Sequence, residues 1–518
     1  MLTKSSYTQF RQCPKMMWMS SYKSEEAVID DSQKARFITG ARVGEMAKGF
    51  LGQYENATVT RPDGSLNIEA MIKRTKELMD DPNVQNICEA AFLADGCYCA
   101  VDLLHRTKDG WAVYEVKSSS HDDEWNEDEE AEGKKTQKIK EVYIWDIAYQ
   151  KHVLELCNVH ITGTYLLCLN KNYVLDGELD IQTLFVAVDV SERVKKEYPL
   201  VNRNCELAKA ELTLEKEPQE PLHAGCNKPY ECAFKEYCMS QLNIPACSVF
   251  NLYRMWWTKK IAYFHGGICT LEQLQQVEDL SEHHQLQVAC GLKNMDYIDK
   301  QAIRNWLEKN ITYPLYHLDF ETVQYAVPEY QGTHPYQQVP FQYSLHIEKS
   351  QGGEIEHREF LADAKSDSPM RQLAEQLCHD IPTDKCVLVY NDKFEKGRIK
   401  EMAEAFPDLR DHLLAIRNNI VDLLIPFQKW YYYVPAMNGS FSIKKVLPAL
   451  FPNDPTLDYH NLAGSVHNGG EAMTIFPLMR DMEGEELSAA RESLLRYCEL
   501  DTWSMVVILR KLYAKSLN

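Results

Sequence analysis

The stretch CYCAVDLLHRTKDGWAVYEVKSSS, residues 97–120, decides how the first half of the chain is read. Two apolar runs flank Lys108, Asp109 and Gly110, a turn-forming triplet, so the segment predicts two strands joined by a tight turn. Side chains alternate across a strand, which puts Glu115 and Lys117 on one face and Tyr114 and Val116 on the other. Asp102 lies on the preceding strand. An Asp, a Glu and a Lys at one sheet surface suit metal-dependent phosphodiester cleavage. Asp102 and Glu115 supply hard oxygen ligands for a divalent ion, and Lys117 orients the attacking water and offsets developing charge. A hairpin carrying a surface ion pair produces the same spacing.

Outward from this segment, KEVYIWDIAYQKHVLELC (140–157) predicts a helix with Tyr143, Ile147 and Gln150 at helical spacing, and HITGTYLLCLN (160–170) predicts a further strand. Between them HDDEWNEDEEAEGKK (121–135) reads as a solvated insertion without fixed structure. Beyond the strand, GCNKPYECAFKEYC (225–238) holds Cys226, Cys232 and Cys238 at two equal spacings, one ligand short of a four-thiolate metal site.

Composition bounds the whole. A chain of 518 residues exceeds what one core supports, and 45% hydrophobic residues with 28 Tyr and 9 Trp are ample for two or three. No apolar run is long enough to span a bilayer, and MLTKSSYTQFRQCPKMMW lacks an apolar signal core, so a cytoplasmic protein without membrane contact is expected. Thiols stay reduced there, and the 16 cysteines then argue for buried small residues plus one metal site rather than disulfides. A net charge of −20 argues against a surface coated for nucleic-acid binding, yet suits enzymes that gather carboxylates around metals.

Three segments follow: 1–245; a helical connector at 246–310, where Thr270 and Gln273 cap a helix; and a second α/β pattern at 311–518. In the last, YHLDFETV (316–323) sets Asp319 and Glu321 on one face of an apolar strand, where two carboxylates repel unless cations lie between them. CVLVYNDKFEKGR (386–398) brings Glu395, and LLRYCELDTWSMVVILRKL (494–512) places Tyr497 and Asp501 one helical turn apart. The aromatic run FQKWYYYVPAMNGSFSIKKV (427–446) offers Trp430 to stack bases and Lys444 and Lys445 to hold phosphates, or it simply packs a core.

These motifs carry two resemblances. Asp102, Glu115, Lys117 and Gln150, preceded by SSYTQFRQCPKMMWM (5–19), resemble the RecB-like PD-(D/E)XK nucleases, which implies a restriction-endonuclease-like fold for 1–245. The family often has a metal-ligating His in a G-x-x-x-H stretch; GARVGEMAKGF (40–50) offers Glu45 instead. Several relatives staple the nuclease with a 4Fe-4S cluster, its first cysteine near the N-terminus, which implies Cys13 as partner to Cys226, Cys232 and Cys238. Zinc and three free cysteines are the other readings of the same residues. D-x-E at Asp319 and Glu321, N-x-x-F-E ending at Glu395, and Y-x-x-x-D at Tyr497 and Asp501 resemble the DnaQ-like DEDD 3′-5′ exonucleases. That resemblance implies an RNase H-like fold for 311–518, Asp319, Glu321, Glu395 and Asp501 as ligands for two Mg²⁺ or Mn²⁺ ions, and Tyr497 orienting water. The tandem is similar to bacterial predicted nucleases, which implies single-stranded DNA or duplex ends as substrate, in repair or in defence against foreign DNA. RNA processing, or an inactive DNA-binding first half feeding the exonuclease, are the alternatives.

Overall fold

The computed structural model describes residues 1–29, 31–121 and 139–517, and the chain is mixed α/β with several sheets. It forms two compact units, one of Met1–Asn243 with Ala326–Tyr336, the other of Ile244–Tyr325 with Gln337–Asn518. Residues 246–310, expected as a separate connector, fall within unit 2, where Val249, Leu252, Leu274 and Val288 form a small apolar cluster. The expected insertion at 121–135 lies, from residue 122 onward, outside the described residues. Among the described residues, no helix is long and apolar enough to cross a membrane.

Unit 1 is built on a seven-stranded sheet. Its strands are β1 (Leu2–Thr3), β2 (Glu55–Asn56), β3 (Asn86–Ala94), β4 (Cys97–Arg106), β5 (Trp111–His121), β6 (Ile161–Asn170) and β7 (Phe185–Asp189). They run in spatial order β2-β3-β4-β5-β6-β7, with β1 beside β4. The β4–β5 turn closes where Gly110 must be glycine, because a Cβ there would stand 2.4 Å from the His160 carbonyl oxygen. β5 and β6 are parallel, and such strands need a crossover, here the helix Glu141–Leu156. That helix buries Ile144, Ile147, Ala148, Val153 and Leu154 against Val101, Leu104, Val113 and Leu166 of the sheet. The opposite face is covered by Val43 and Ala47 of the helix Asp31–Ala47, packed with Leu103, Leu167 and Leu169. With both faces covered, a charged side chain on a central strand must find its partners inside the protein.

Unit 2 holds β8 (Tyr297–Ile298), β9 (Leu315–Gln324), β10 (Gln338–Glu348), β11 (Ile355–Leu361), β12 (Cys386–Val389), β13 (Ile420–Asp422) and β14 (Tyr432–Tyr433). Five form one sheet in order β11-β10-β9-β12-β13, antiparallel through β11, β10 and β9 and parallel from β9 through β12 to β13; β8 and β14 pair separately. The central strand β9 buries Leu315, Leu318, Phe320 and Val323. A 34-residue helix, Gly484–Leu517, buries Leu494, Cys498, Met505, Ile508 and Leu509. Its Thr502 hydroxyl reaches Ser344 of β10 at 2.7 Å, which fixes the helix over the strands that carry the acids.

Candidate functional site

In unit 1 the short strand β1 pairs with β4 through Leu2 and Cys97, and Thr3 then caps the helix Lys4–Gln12 by accepting the Ser6 N–H at 3.1 Å. Lys4, the first helical residue, is thereby set over β4 and β5. Its ammonium stands 3.2 Å from Asp102 Oδ1 and from both oxygens of Glu115. Lys117 donates to Glu115 at 2.6 Å and to Asp146 at 2.8 Å. Gln150 donates to Glu115 at 2.6 Å and to Asp146 at 3.0 Å, its position one helical turn from Asp146 aiming both at the strand. Asp102 accepts the Val116 N–H at 2.8 Å. The structure thus brings Asp102, Glu115, Lys117 and Gln150 together.

Two ammonium groups pair with three carboxylates in this cluster. Burial works to raise Glu115, but Lys117 and Lys4 overcome it and hold the carboxyl well below the usual range. Asp102 is pushed up to about 7, chiefly by burial and then by Glu115, with the two lysines opposing. Glu45 is ion-paired to Lys48 with its side chain 70% exposed, and both act on Glu89 rather than on Asp102 or Glu115.

Three members went unread in the sequence: Lys4, Asp146 and Glu89. Asp146 has a signal, a lone acid one turn before Gln150 in a helix otherwise apolar on its buried face. Glu89 has another, a charge inside the apolar strand NICEAAFLA; it carries φ 56 between the Cys88–Leu103 and Ala90–Val101 pairs and is raised by burial, with Lys4 and Lys48 opposing. Lys4 has none, since only the pairing of β1 with β4 places it.

In unit 2, Asp319 and Glu321 project from β9, and Asp501 from the long helix; one ligand atom from each lies within 4.8 Å of the others. Glu395 is 2% exposed in the first turn of the helix Lys393–Ala405, and its Oε2 has no hydrogen-bond partner. That helix is positioned by Asp422, whose Oδ1 accepts the N–H of Asn391 at 2.8 Å and of Leu424 at 2.9 Å, holding Asn391 in a left-handed turn with φ 72. Tyr459 donates to Asp501 at 2.5 Å, and Tyr497, 4% exposed, lies with its ring centroid 6.0 Å from that of Tyr459. Lys444 stands 5.3 Å from both ring centroids.

All four acids here shift upward. Asp319 is raised well above the usual range by burial and then by Asp501, Glu321 and Glu395. Burial, with Asp501 adding, takes Glu321 up to about 8, and burial also takes Glu395 to about 8. Asp501 rises to about 6 by burial, with Tyr459, Lys444 and Tyr497 opposing. Such carboxylates are short of positive charge, the condition under which a site takes up divalent cations. Tyr459 was not read from the sequence, because its segment DYHN carries no periodic pattern.

The offer of Trp430 as a base-stacking surface is corrected. Trp430 is 3% exposed, stacks on His283 with centroids 5.2 Å apart, and packs against Tyr253, Tyr433 and Phe441. The aromatic run closes a core, as burial of large rings favours. Lys444 and Lys445 are both exposed.

The cysteines converge across the chain. Cys13 follows the helix Lys4–Gln12, and Gln12 donates to the carbonyls of Gly225 and Tyr230 at 2.7 and 2.8 Å, clamping the loop that carries Cys226 and Cys232. Gly225 permits this approach, since a Cβ would lie 2.4 Å from the Gln12 carbonyl oxygen. Burial pushes the Cys13 thiol up to about 12, with Cys232 and Cys226 adding; Cys232 rises to about 11 by burial, with Cys226 and Cys238 adding. All four are free thiols, and no three of their sulfurs lie within 4.8 Å of one another.

With these sites in place, the chain is a mixed α/β protein carrying two separate clusters of buried acids. Residues 316–442, which include Asp319, Glu321 and Glu395, match a domain of unknown function, DUF2779. The chain is similar to uncharacterized protein MG366 of Mycoplasma genitalium, 24% identical over 220 residues, covering 39% of this chain and 32% of the relative. It is similar also to uncharacterized protein UU173 of Ureaplasma parvum, 31% identical over 138 residues, covering 23% and 19%, and to the MG366 homolog of Mycoplasma pneumoniae, 23% identical over 205 residues, covering 37% and 31%. The matches thus span about a third or less of those relatives' own lengths. No solved structure matches the chain at a significant level.

Proposed function

We propose that unit 2 is a DnaQ-like DEDD nuclease on an RNase H-like sheet, trimming DNA from the 3′ end, and that unit 1 is a RecB-like PD-(D/E)XK nuclease on a restriction-endonuclease-like sheet. The observation that carries this reading is the convergence of Asp319, Glu321 and Asp501 within 4.8 Å, with a buried Glu395 whose Oε2 has no hydrogen-bond partner. Their donors, hard oxygens whose pKa values are raised first by burial and then by neighbouring acids, fit Mg²⁺ or Mn²⁺. When bound, a pair of such ions supplies an activated water and stabilises the departing 3′ oxygen. Tyr459 holds Asp501 in its ligand orientation, Tyr497 orients the attacking water, and Lys444, exposed beside both rings, meets the incoming phosphate.

Cys13, Cys226, Cys232 and Cys238 would hold a 4Fe-4S cluster that ties the N-terminus to the cysteine loop, a structural role apart from the chemistry. The substrate, DNA in repair or in defence against foreign DNA, rests on the resemblance; RNA serves the same chemistry. A second reading of unit 1 is favoured by Lys4. Its ammonium stands between Asp102 and Glu115, where a ligating pair would otherwise receive a metal, so unit 1 as folded here is a charge-balanced DNA-binding module until Lys4 moves.

The full chain, assayed with Mn²⁺ on labelled single-stranded DNA, duplex DNA and RNA, tests both halves. Loss of 3′ trimming in Asp319→Ala with a separate cleavage lost only in Lys117→Ala is the expected result. If Lys117→Ala keeps every activity, the module reading of unit 1 stands; if Asp319→Ala keeps every activity, the nuclease reading of unit 2 fails.

A further inference from the structure

Beside the acids of unit 2 lies a second cluster of different chemistry. His346 of β10 and His357 of β11 are directly opposed in register, their rings stacked at 4.5 Å, and Glu499 of the long helix completes a group whose ligand atoms lie within 4.8 Å of one another. His346 is 4% exposed, while the side chains of His357 and Glu499 are 25% and 49% exposed.

Hydroxyls hold each imidazole by one ring nitrogen. Thr502 Oγ1 lies 3.1 Å from the Glu499 carbonyl oxygen, 2.7 Å from Ser344 Oγ and 2.8 Å from His346 Nδ1, and Ser344 Oγ lies 3.0 Å from His357 Nε2. With the Thr502 proton on the Glu499 carbonyl, Ser344 donates to Thr502 and the imidazoles donate through His346 Nδ1 and His357 Nε2, the tautomer pair that leaves the other two nitrogens to ligate. His357 Nδ1 lies 3.8 Å from Glu499 Oε1. Burial first, and then His357 and His317, keep His346 down at about 3, so it is neutral imidazole in ordinary buffers.

We infer that His346, His357 and Glu499 form a site for a late first-row divalent ion of the Zn²⁺ class, separate from the carboxylate site and with at least one position open to water. Imidazole with one carboxylate selects such ions over Mg²⁺, which prefers all-oxygen surroundings. Bonds of about 2.0–2.1 Å bring tetrahedral ligands roughly 3.3 Å apart, so the group must contract. Because a ring-nitrogen lone pair lies in its ring plane and the two rings are stacked, the part-exposed His357 must turn to share the ion with His346, and Glu499, the most exposed of the three, closes by a change of rotamer. The ion would join β10 and β11 to the helix that carries Asp501, two residues from Glu499. This inference does not rest on the nuclease reading.

The test uses the full chain, stripped with a chelator and titrated with Zn²⁺ against a chromophoric competitor, in excess Mg²⁺ to occupy the carboxylates. One zinc equivalent is expected to be lost in His357→Gln and weakened at least tenfold in Glu499→Gln, while Asp319→Asn and Cys232→Ser retain it. Thr502→Val, which releases the tautomer of His346, should weaken the same equivalent by roughly 10- to 100-fold. His357 and Glu499 are partly exposed, so their variants should fold, checked by circular dichroism. Wild-type zinc binding in His357→Gln and Glu499→Gln overturns the inference, as does the absence of any zinc beyond that removed by Asp319→Asn or Cys232→Ser.

Discussion

In unit 1, three carboxylates (Asp102, Glu115 and Asp146) share two ammonium groups, Lys4 and Lys117. In unit 2, four carboxylates (Asp319, Glu321, Glu395 and Asp501) are met by Lys444, exposed and 5.3 Å from the rings of Tyr459 and Tyr497, and, at Glu395, by Arg398. The two sets differ at one central acid. Glu115 is held well below the ordinary carboxylate range by Lys117 and Lys4, whereas Asp102, Asp146 and Glu89 of the first set and every acid of the second are pushed above it, chiefly by burial. The first set has lysines that ionise its central carboxylate, and the second has no acid held that way.

The hardest test of this contrast is removal of a central acid from the set that lacks counter-charge. Asp319→Asn is expected to lower Mn²⁺-dependent 3′ trimming by on the order of 10³-fold, about 4 kcal/mol in the transition state, with circular dichroism unchanged. Because the substitution removes a repelling charge, the metal-free fold should be as stable as before or more so. Turnover within tenfold of wild type would show that the convergence of acids has another purpose.

Changing the lysines of unit 1 should move it toward the state of unit 2. Lys117→Met strands Glu115 and Asp146, 1% and 9% exposed, and should cost about 2–3 kcal/mol in urea unfolding, the range for a buried pair broken on one side with a quarter-exposed partner. Lys4→Met removes the ammonium between Asp102 and Glu115, and should raise Mn²⁺ affinity at this site by roughly five- to tenfold, read by calorimetry in an Asp319→Asn background. Unchanged affinity would mean that Lys4 does not compete with a cation there.

The sequence made one side of the comparison more legible than the other. Alternation on β5 and on β9 put Glu115 with Lys117 and Asp319 with Glu321, and helical spacing put Tyr497 with Asp501, because local periodicity is itself the geometry. The strand–turn–strand at 97–120 was legible for the same reason. Lys4 was not, since its place depends on β1 pairing with a strand more than ninety residues away. Tyr459 likewise reaches Asp501 only through tertiary packing. Trp430 was left between base stacking and core because an aromatic run reads the same whether it faces solvent or core; its burial is decided by Tyr253 and His283, from a distant part of the chain.

A smaller effect separates the two acid sets by pH. Glu321 and Glu395 titrate near about 8 and Asp501 near about 6 in the folded chain, against roughly 4 when unfolded. Between those limits the folded state holds more protons than the unfolded one, so metal-free stability falls as pH rises through about 4 to 8. The melting temperature without metal should drop by several degrees from pH 6 to pH 8.5 and recover with Mn²⁺. The double variant Asp319→Asn with Glu321→Gln should flatten that slope. An unchanged slope would assign the pH dependence to Asp102 in unit 1 instead.

The smallest expected effect concerns the two tyrosines, which touch one acid in different ways. Tyr459 donates to Asp501 at 2.5 Å and opposes the upward shift that burial imposes. Tyr459→Phe removes that donor, so the acid should titrate higher and the acidic limb of the pH–rate profile should move up by roughly half a pH unit. Above that limb, the rate should stay within about threefold of wild type, since Asp501 is then ionised in both proteins. Tyr497→Phe removes a second hydroxyl that opposes the rise of Asp501, so its limb should move up too, and, if Tyr497 orients the attacking water, the rate should in addition fall at every pH. Matching profiles for the two variants would place both hydroxyls in the same role and remove the ground for assigning water orientation to Tyr497 alone.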